Sequence, residues 1–169
     1  MEVQEKKDLS YLNQILYDSL FGKNAHVSLE RSLDGLQWHQ AGISVDHAPH
    51  TIWQQIKHLN YWQDRFISRI EGMKVLPAKS SEEGWCWNKA PANESEYRQE
   101  VGKLLTGINY ISETMLCNAP CLRENKGDYP NGYAVVQAMA SHLSYHIGEI
   151  VLLRRMIGAW PPPSGGYSW

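Results

Sequence analysis

Apolar residues recur every three or four positions in four long stretches of the chain, a spacing typical of amphipathic helices. The stretches span residues 7–21, 52–70, about 93–119 and 133–157. No stretch alternates apolar and polar residues for long enough to predict a strand. The pattern therefore predicts an all-α fold, and the lengths of the connections favour a four-helix bundle with long crossover loops.

Capping residues mark the ends of these helices. Thr51, with Gln54 three positions later, predicts a capping box at the start of the second long helix, and Gly72 follows its end. Gly158, with three prolines behind it, closes the fourth long helix. A shorter helix is expected over residues 28–36, between the first two long ones.

Two segments outside the helices have distinctive compositions. Residues 73–91 form a long connection that holds two tryptophans and a cysteine, and we expect it to pack over one end of the bundle. Residues 160–169 form a Pro/Gly-rich tail that cannot be helical. The tail either docks through its terminal aromatic residues or is disordered. The whole chain, residues 1–169, is expected to be one domain.

Composition narrows the class of protein. The chain has 16 Lys and Arg against 18 Asp and Glu, a formal net charge of -2, with no basic block. This balance argues against nucleic acid or an anionic membrane as the main partner. No apolar run approaches the roughly 20 residues that span a bilayer, and the first seven residues lack the apolar core of a signal peptide. We therefore expect a cytoplasmic protein whose three cysteines are ordinary reduced thiols.

The strongest candidate for chemistry is a pair of histidines on the fourth helix. His142 and His146 are four residues apart, so both lie on one face of the helix. His146 lies near the middle of the apolar stripe, and His142 lies just to one side of it. A core-facing imidazole needs a hydrogen-bond partner or a metal ion. The pair is therefore either a metal half-site or two satisfied core histidines.

A metal site needs a third ligand, for which the chain offers five other histidines. Of these, only His58 lies well inside a long helix, although helical phase places it about 120° from the centre of its own apolar stripe. His50 lies roughly 12 Å from His58 along that helix, too far to share one ion. We expect His50 to cap the helix or, alternatively, to line the mouth of the site. The remaining three are expected in loops or at the surface: His26, His39 and His47.

Two segments taken together are similar to a known family. The residues from His50 to Trp62, followed much later by those from His142 to Arg155, resemble the DinB/YfiT-like family of metal-dependent proteins. The resemblance implies a four-helix bundle that binds a divalent metal, zinc or nickel, with iron also accepted. It implies the ligands His58, His142 and His146, with a fourth coordination position open for water or substrate.

Glu149 is where the chain departs from the resemblance, since members commonly have Gln there. It follows His146 by three residues, at the edge of the same stripe. It is the candidate to orient a ligand as a hydrogen-bond acceptor or to act as a general base. A solvated glutamate that pairs with a neighbouring helix is the interpretation that the pattern favours.

The resemblance also implies a function. It favours an enzyme that activates a low-molecular-weight thiol, such as bacillithiol, mycothiol or glutathione, for transfer to a small-molecule electrophile. A metal-dependent hydrolase is the alternative, and a non-catalytic metal-binding or stress-response interaction protein is another. A metal-free dimerising bundle is the remaining possibility. The resemblance further implies a homodimer.

The sequence contains no obvious basic cluster for the carboxylates of such a thiol. Arg65 and Arg69 lie close to His58 in helical phase. An arginine pair on the flank of a helix is generally solvated, and this is the expectation for both residues.

Overall fold

The protein is helical throughout the part of the chain that the structure, a computed structural model, describes. The described residues are 2–23, 25–80 and 82–165, with side chains from residue 11 onward. In chain order the helices are α1 (Glu2–Phe21), α2 (Leu29–Leu33), α3 (Trp38–Ala41), α4 (Ile52–Ile70), α5 (Glu94–Leu116), a 3₁₀ turn (Pro120–Leu122) and α6 (Gly132–Met156). These residues contain no strand, which confirms the predicted all-α class.

The four long helices form where the hydrophobic pattern predicts them. The capping box of Thr51 and Gln54 is present at the start of α4. Asn93 and Asn131 cap α5 and α6, because each side-chain oxygen accepts a hydrogen bond from a backbone N–H three residues later. The first helix begins earlier than residue 7, at Glu2.

The short helices differ from the prediction. The helix expected over residues 28–36 ends at Leu33, because Gly35 takes a positive φ of 69° that a right-handed helix does not allow. The four-residue helix α3 was not predicted. Gln37 opens it with a capping box that uses Gln40, whereas Ser or Thr is the usual residue at that position.

Packing of α4 against two neighbours positions the candidate site. Helix α4 packs against both α5 and α6, and α1 packs against the same two helices. Apolar residues of all four fill the core, among them Leu20, Ile56, Ile111 and Ile150. Because α4 is covered on two sides, its buried surface is wider than one apolar stripe.

The end of α6 is fixed by a buried arginine. Arg154 donates hydrogen bonds to the carbonyl oxygens of Ser32, Asp34 and Ala159. The described part of the tail packs nearby, where the Ser164 N–H donates to the Asp34 carboxylate at 3.1 Å. The terminal aromatic residues expected to dock lie outside the described residues. Among the described helices, none combines the length and the apolar character needed to cross a membrane.

Candidate metal centre

The structure brings together the three histidines that the resemblance implies as ligands. His142 and His146 are one turn apart on α6, and His58 lies about two turns into α4, on the side that packs against α6. The Nε2 atom of His142 is 3.2 Å from that of His58 and 3.1 Å from that of His146. One ring nitrogen from each histidine lies within 4.8 Å of the others.

Helical phase alone placed His58 on the flank of α4, yet the residue is only 6% exposed. The flank is buried because it forms the seam with α6, and because the connection after α4 covers it. Trp85 of that connection stacks on the His58 ring with centroids 3.9 Å apart. A prediction that assumes one buried stripe therefore underestimates the buried surface of a helix that packs against two other helices.

Hydrogen bonds on the far side of the rings fix which nitrogens face the cluster. The Nδ1–H of His58 donates to the Gly84 carbonyl at 3.2 Å. The Nδ1–H of His146 donates to the Gln55 amide oxygen at 2.6 Å and to the Glu149 carboxylate at 2.8 Å. A neutral imidazole has one N–H, so Nε2 of both rings presents a lone pair to His142.

This arrangement leaves the three Nε2 atoms poorly satisfied by one another. His142 can donate one Nε2–H, so at most one of its two short N···N contacts is a good hydrogen bond. The Nε2 lone pair in the other contact is then left without a donor. A cation between the three nitrogens would accept all of the lone pairs at once. Nitrogen ligands on a tetrahedral zinc ion lie about 3.3 Å apart, close to the two spacings found here.

Burial keeps these imidazoles neutral. It lowers the pKa of His58 to about 4 and that of His142 to about 3, and the proximity of the other imidazoles adds to both shifts. Burial also lowers the pKa of His146, although the Glu149 carboxylate opposes that shift. Metal binding requires neutral imidazoles, and these rings are already neutral at pH 7.

The donor set itself is compatible with a divalent metal. Three neutral imidazoles suit zinc, nickel, copper and iron, whereas magnesium and calcium prefer oxygen ligands. Among the described residues, no carboxylate or thiol joins the three histidines as a further candidate ligand. The ligands therefore carry no negative charge, and an ion held by them would keep its full 2+ charge.

Glu149 and Gln55 both contact the outer nitrogen of His146. Their oxygens lie on the Nδ1 side of the ring, away from the cluster of Nε2 atoms. This position is suitable for orienting His146, and it is unsuitable for accepting a proton beside the cluster. Gln55 was not predicted to lie at the site, because glutamine is mostly found on the surface. The one sequence feature that could have indicated its role is its position one turn before His58 on α4.

His50 does not cap α4, so that prediction is wrong. Thr51 is the capping residue, and the His50 ring stacks on Trp85 with centroids 3.5 Å apart and planes 2° apart. Trp85 is thus held between two imidazoles, since His58 and His50 cannot both overlie the same face of the indole. The connection of residues 73–91 covers one side of the cluster through this stack.

The remaining histidines lie away from the cluster. His39 and His47 are exposed, as expected for surface or loop residues. His26 is half-buried, and its ring nitrogens contact the Val27 carbonyl at 2.7 Å and the Ser144 hydroxyl at 2.8 Å. Neither contact belongs to the cluster. The three cysteines are unpaired, and none lies among the candidate ligands.

Aromatic side chains surround the exposed side of the cluster. His142 is the most exposed of the three histidines, and the Trp62 ring lies edge-on to it with centroids 6.0 Å apart. The Tyr145 ring lies 5.0 Å from that of His146 while remaining 66% exposed. Trp53, in contrast, is a fully buried core residue. Trp62 and Tyr145 therefore border the histidine cluster, in which His142 is the most exposed member.

Comparison with known proteins gives one match. A family model described as the DinB superfamily matches residues 26–150, which include all three histidines of the cluster and Glu149. Comparisons with curated proteins and with solved structures give no match.

Proposed function

Because the chain belongs to the DinB superfamily, we propose that it is a divalent-metal-dependent enzyme. The proposed fold is a four-helix bundle that forms one domain over residues 1–169. The proposed ligands are His58, His142 and His146. Zinc and nickel are the proposed metals, and iron also accepts imidazole ligands. We also propose that the protein is a homodimer, and light scattering on purified protein measures its oligomeric state.

One observation carries the proposal. Three imidazoles from two helices converge through their Nε2 atoms, and two of the three have their Nδ1–H groups committed to other acceptors. Histidines that satisfied one another in a core would pair a donor with an acceptor. Here the rings of His58 and His146 both turn an acceptor nitrogen toward His142, an arrangement that suits ligands of a metal ion.

A catalytic role is supported by the number and charge of the donors. Structural zinc sites are usually closed by four protein ligands, often cysteines, whereas this cluster offers three neutral ones. When bound, a divalent metal with an open position supplies a 2+ charge that lowers the pKa of a thiol or of water placed there. The half-exposed side of His142 gives a small molecule access to that position.

Among reactions that such a site supports, we propose thiol-dependent S-transfer. A thiol bound in this way needs no protein base, because the charge of the site alone favours its deprotonated form. The position of Glu149 agrees with this, since its carboxylate lies behind His146. The protein's own groups then bind and orient: Gly84 and Gln55 fix two of the rings, while Trp85 excludes water from one side.

Cobalt substitution tests both the site and the reaction class. Co²⁺-loaded protein is titrated with a small thiol, and a sulfur-to-cobalt charge-transfer band is the expected result. The variant His142→Ala should lose the band, and the exposed-residue control His39→Ala should retain it. Absence of the band, together with thiol-independent hydrolysis of activated esters or amides, would instead identify a hydrolase. Failure of cobalt to bind stoichiometrically would refute the metal site.

A further inference from the structure

A fourth histidine forms a pair with a serine, away from the metal centre. The Nε2 atom of His26, in the loop after α1, lies 2.8 Å from the Oγ atom of Ser144 on α6. Ser144 is two residues from each of the α6 ligands, and a turn of about 200° places it on the opposite side of the helix from them. The function proposed for the cluster uses neither His26 nor Ser144.

The second ring nitrogen of His26 decides which partner supplies the hydrogen. Nδ1 lies 2.7 Å from the Val27 carbonyl oxygen, which can only accept, so Nδ1 carries the N–H. In the neutral ring Nε2 is therefore an acceptor, and the Ser144 hydroxyl is the donor that faces it. The Ala140 carbonyl, at 2.9 Å, is a second acceptor for the same hydroxyl. The Ser144 proton is thus within reach of a base.

The backbone after α1 is shaped to hold the His26 ring in this place. Gly22 has a φ of 68°, and a Cβ atom there would lie 2.5 Å from Nδ1 of His26. A side chain at this position would strain the backbone and displace the ring. A serine, a histidine beside it and an acceptor that orients the histidine are the parts of an activated serine nucleophile.

The pair lies at a cavity between α1 and α6. This cavity has a volume of about 600 Å³, and both His26 and Ser144 line it. A cavity of this size holds a small-molecule ligand. Ser141 also lines it, three residues before Ser144 and therefore on the same face of α6. The Ser141 hydroxyl accepts a hydrogen bond from the Gln137 amide at 2.9 Å, so its own O–H can turn to an oxygen atom in the cavity.

We propose that Ser144 is a nucleophile with His26 as its general base, and that the cavity takes small carboxylic esters. Ser144 Oγ attacks the ester carbonyl carbon while its proton passes to Nε2 of His26, which then protonates the departing alcohol as the ester C–O bond breaks. Water attacks the acyl group left on Ser144 and gives a proton to His26. That proton returns to Oγ as the carboxylic acid leaves.

Two features of the pair set the class of substrate. Ser141 can donate to the carbonyl oxygen as that oxygen gains negative charge. The group that orients His26 is a neutral carbonyl, which stabilises an imidazolium less than a carboxylate does, so we expect esters with good leaving groups and not amides. The reaction involves no metal, and it is therefore independent of the function proposed for the histidine cluster.

Labelling with a fluorophosphonate tests the nucleophile. The serine oxygen displaces fluoride from phosphorus, and mass spectrometry of the protein and its peptides locates the adduct. We expect about one adduct per chain, on Ser144, at the same rate with and without a metal chelator. Ser144→Ala should abolish the adduct. Ser19→Ala is the matched control, because Ser19 lines the same cavity while its hydroxyl donates to the Ile15 carbonyl at 2.8 Å. This control should be labelled at the rate of the parent.

Chemical rescue separates a base from a structural contact. His26→Ala should lower the labelling rate by about a hundredfold or more, and added imidazole should restore part of that rate. Hydrolysis of p-nitrophenyl acetate by the parent, measured with chelator present, should stop once Ser144 is labelled. The position of the adduct is read from the unmodified protein, so the test does not depend on the folding of a variant. Absence of an adduct, an adduct on another residue, or an unchanged rate in His26→Ala would overturn the inference.

Discussion

Helix α4 buries polar side chains against two neighbours, α5 and α6, and these two contact surfaces, the α4–α5 and α4–α6 seams, pair their polar groups in different ways. Against α5, Lys57 and Asn60 both donate to the Glu100 carboxylate, so the charges are matched within the protein, whereas the side-chain oxygens of Asn60 and Gln63 are buried there without a partner. Against α6, the Nε2 atoms of three imidazoles converge, two of them as acceptors, and no carboxylate lies among the three nitrogens. The α4–α5 seam therefore pairs its charged groups with one another. A cation would satisfy the lone pairs of the α4–α6 seam, which is why we propose that this seam is the functional one.

The largest expected effect comes from removing the half-exposed imidazole of the α4–α6 seam. His142→Ala should weaken zinc affinity by roughly a hundredfold or more, because one of three ligands is lost. The metal-free variant should unfold with a free energy within about 1 kcal/mol of the parent, since the His142 ring makes no hydrogen bond outside the cluster. Competition with a chromogenic chelator measures affinity, and urea unfolding measures stability. Equal zinc affinity in the variant and the parent would show that His142 is not a ligand.

The α4–α5 seam should respond in the opposite way. Glu100→Ala leaves the Lys57 ammonium without its acceptor and the Asn60 amide with the residue-100 backbone carbonyl alone, and we expect it to lower the free energy of unfolding by about 2 kcal/mol. Zinc affinity of the folded variant should equal that of the parent. Urea unfolding of the metal-free protein and chelator competition check the two parts separately. A large loss of zinc affinity would contradict the separation of the two seams.

A smaller effect is expected from the acceptors behind His146. Glu149→Ala should weaken zinc binding by about tenfold, because the Nδ1–H of His146 loses its charged partner and the ring is less firmly oriented. Gln55→Leu should weaken it less, since Glu149 remains as an acceptor. Calorimetric titration of both variants gives the order. The reverse order would show that the amide, and not the carboxylate, positions His146.

The smallest expected signal is the release of protons on metal binding. Burial lowers the pKa of His58 to about 4 and of His142 to about 3, so both are already neutral at pH 6. We therefore expect less than one proton, from His146 alone, to be released on zinc binding at pH 6, whereas three imidazoles with an ordinary pKa of about 6.5 would release about two protons. Titration calorimetry in two buffers of different ionisation enthalpy counts these protons. Release of about two would show that the cluster is not desolvated before the metal binds.

Sequence patterns predicted the helices better than they predicted the site. The caps and stripes of α4 and α6 are local signals, and the structure has both helices at nearly the predicted residues. Helical phase gave only a weak signal for His58, because a stripe assumes one buried face and α4 has two. The contact between Trp85 and His58 is set by the path of a long connection, which local residue preferences do not determine. The resemblance to a family supplied what periodicity could not.

The coordination of one bound metal ion is the most direct test of the central claim. Protein loaded with one equivalent of zinc is measured by X-ray absorption at the zinc edge. The account predicts three imidazole nitrogens and one further oxygen or nitrogen at about 2.0–2.1 Å, with no sulfur from the protein. A sulfur neighbour at about 2.3 Å in the absence of added thiol, or fewer than three imidazoles, would contradict it.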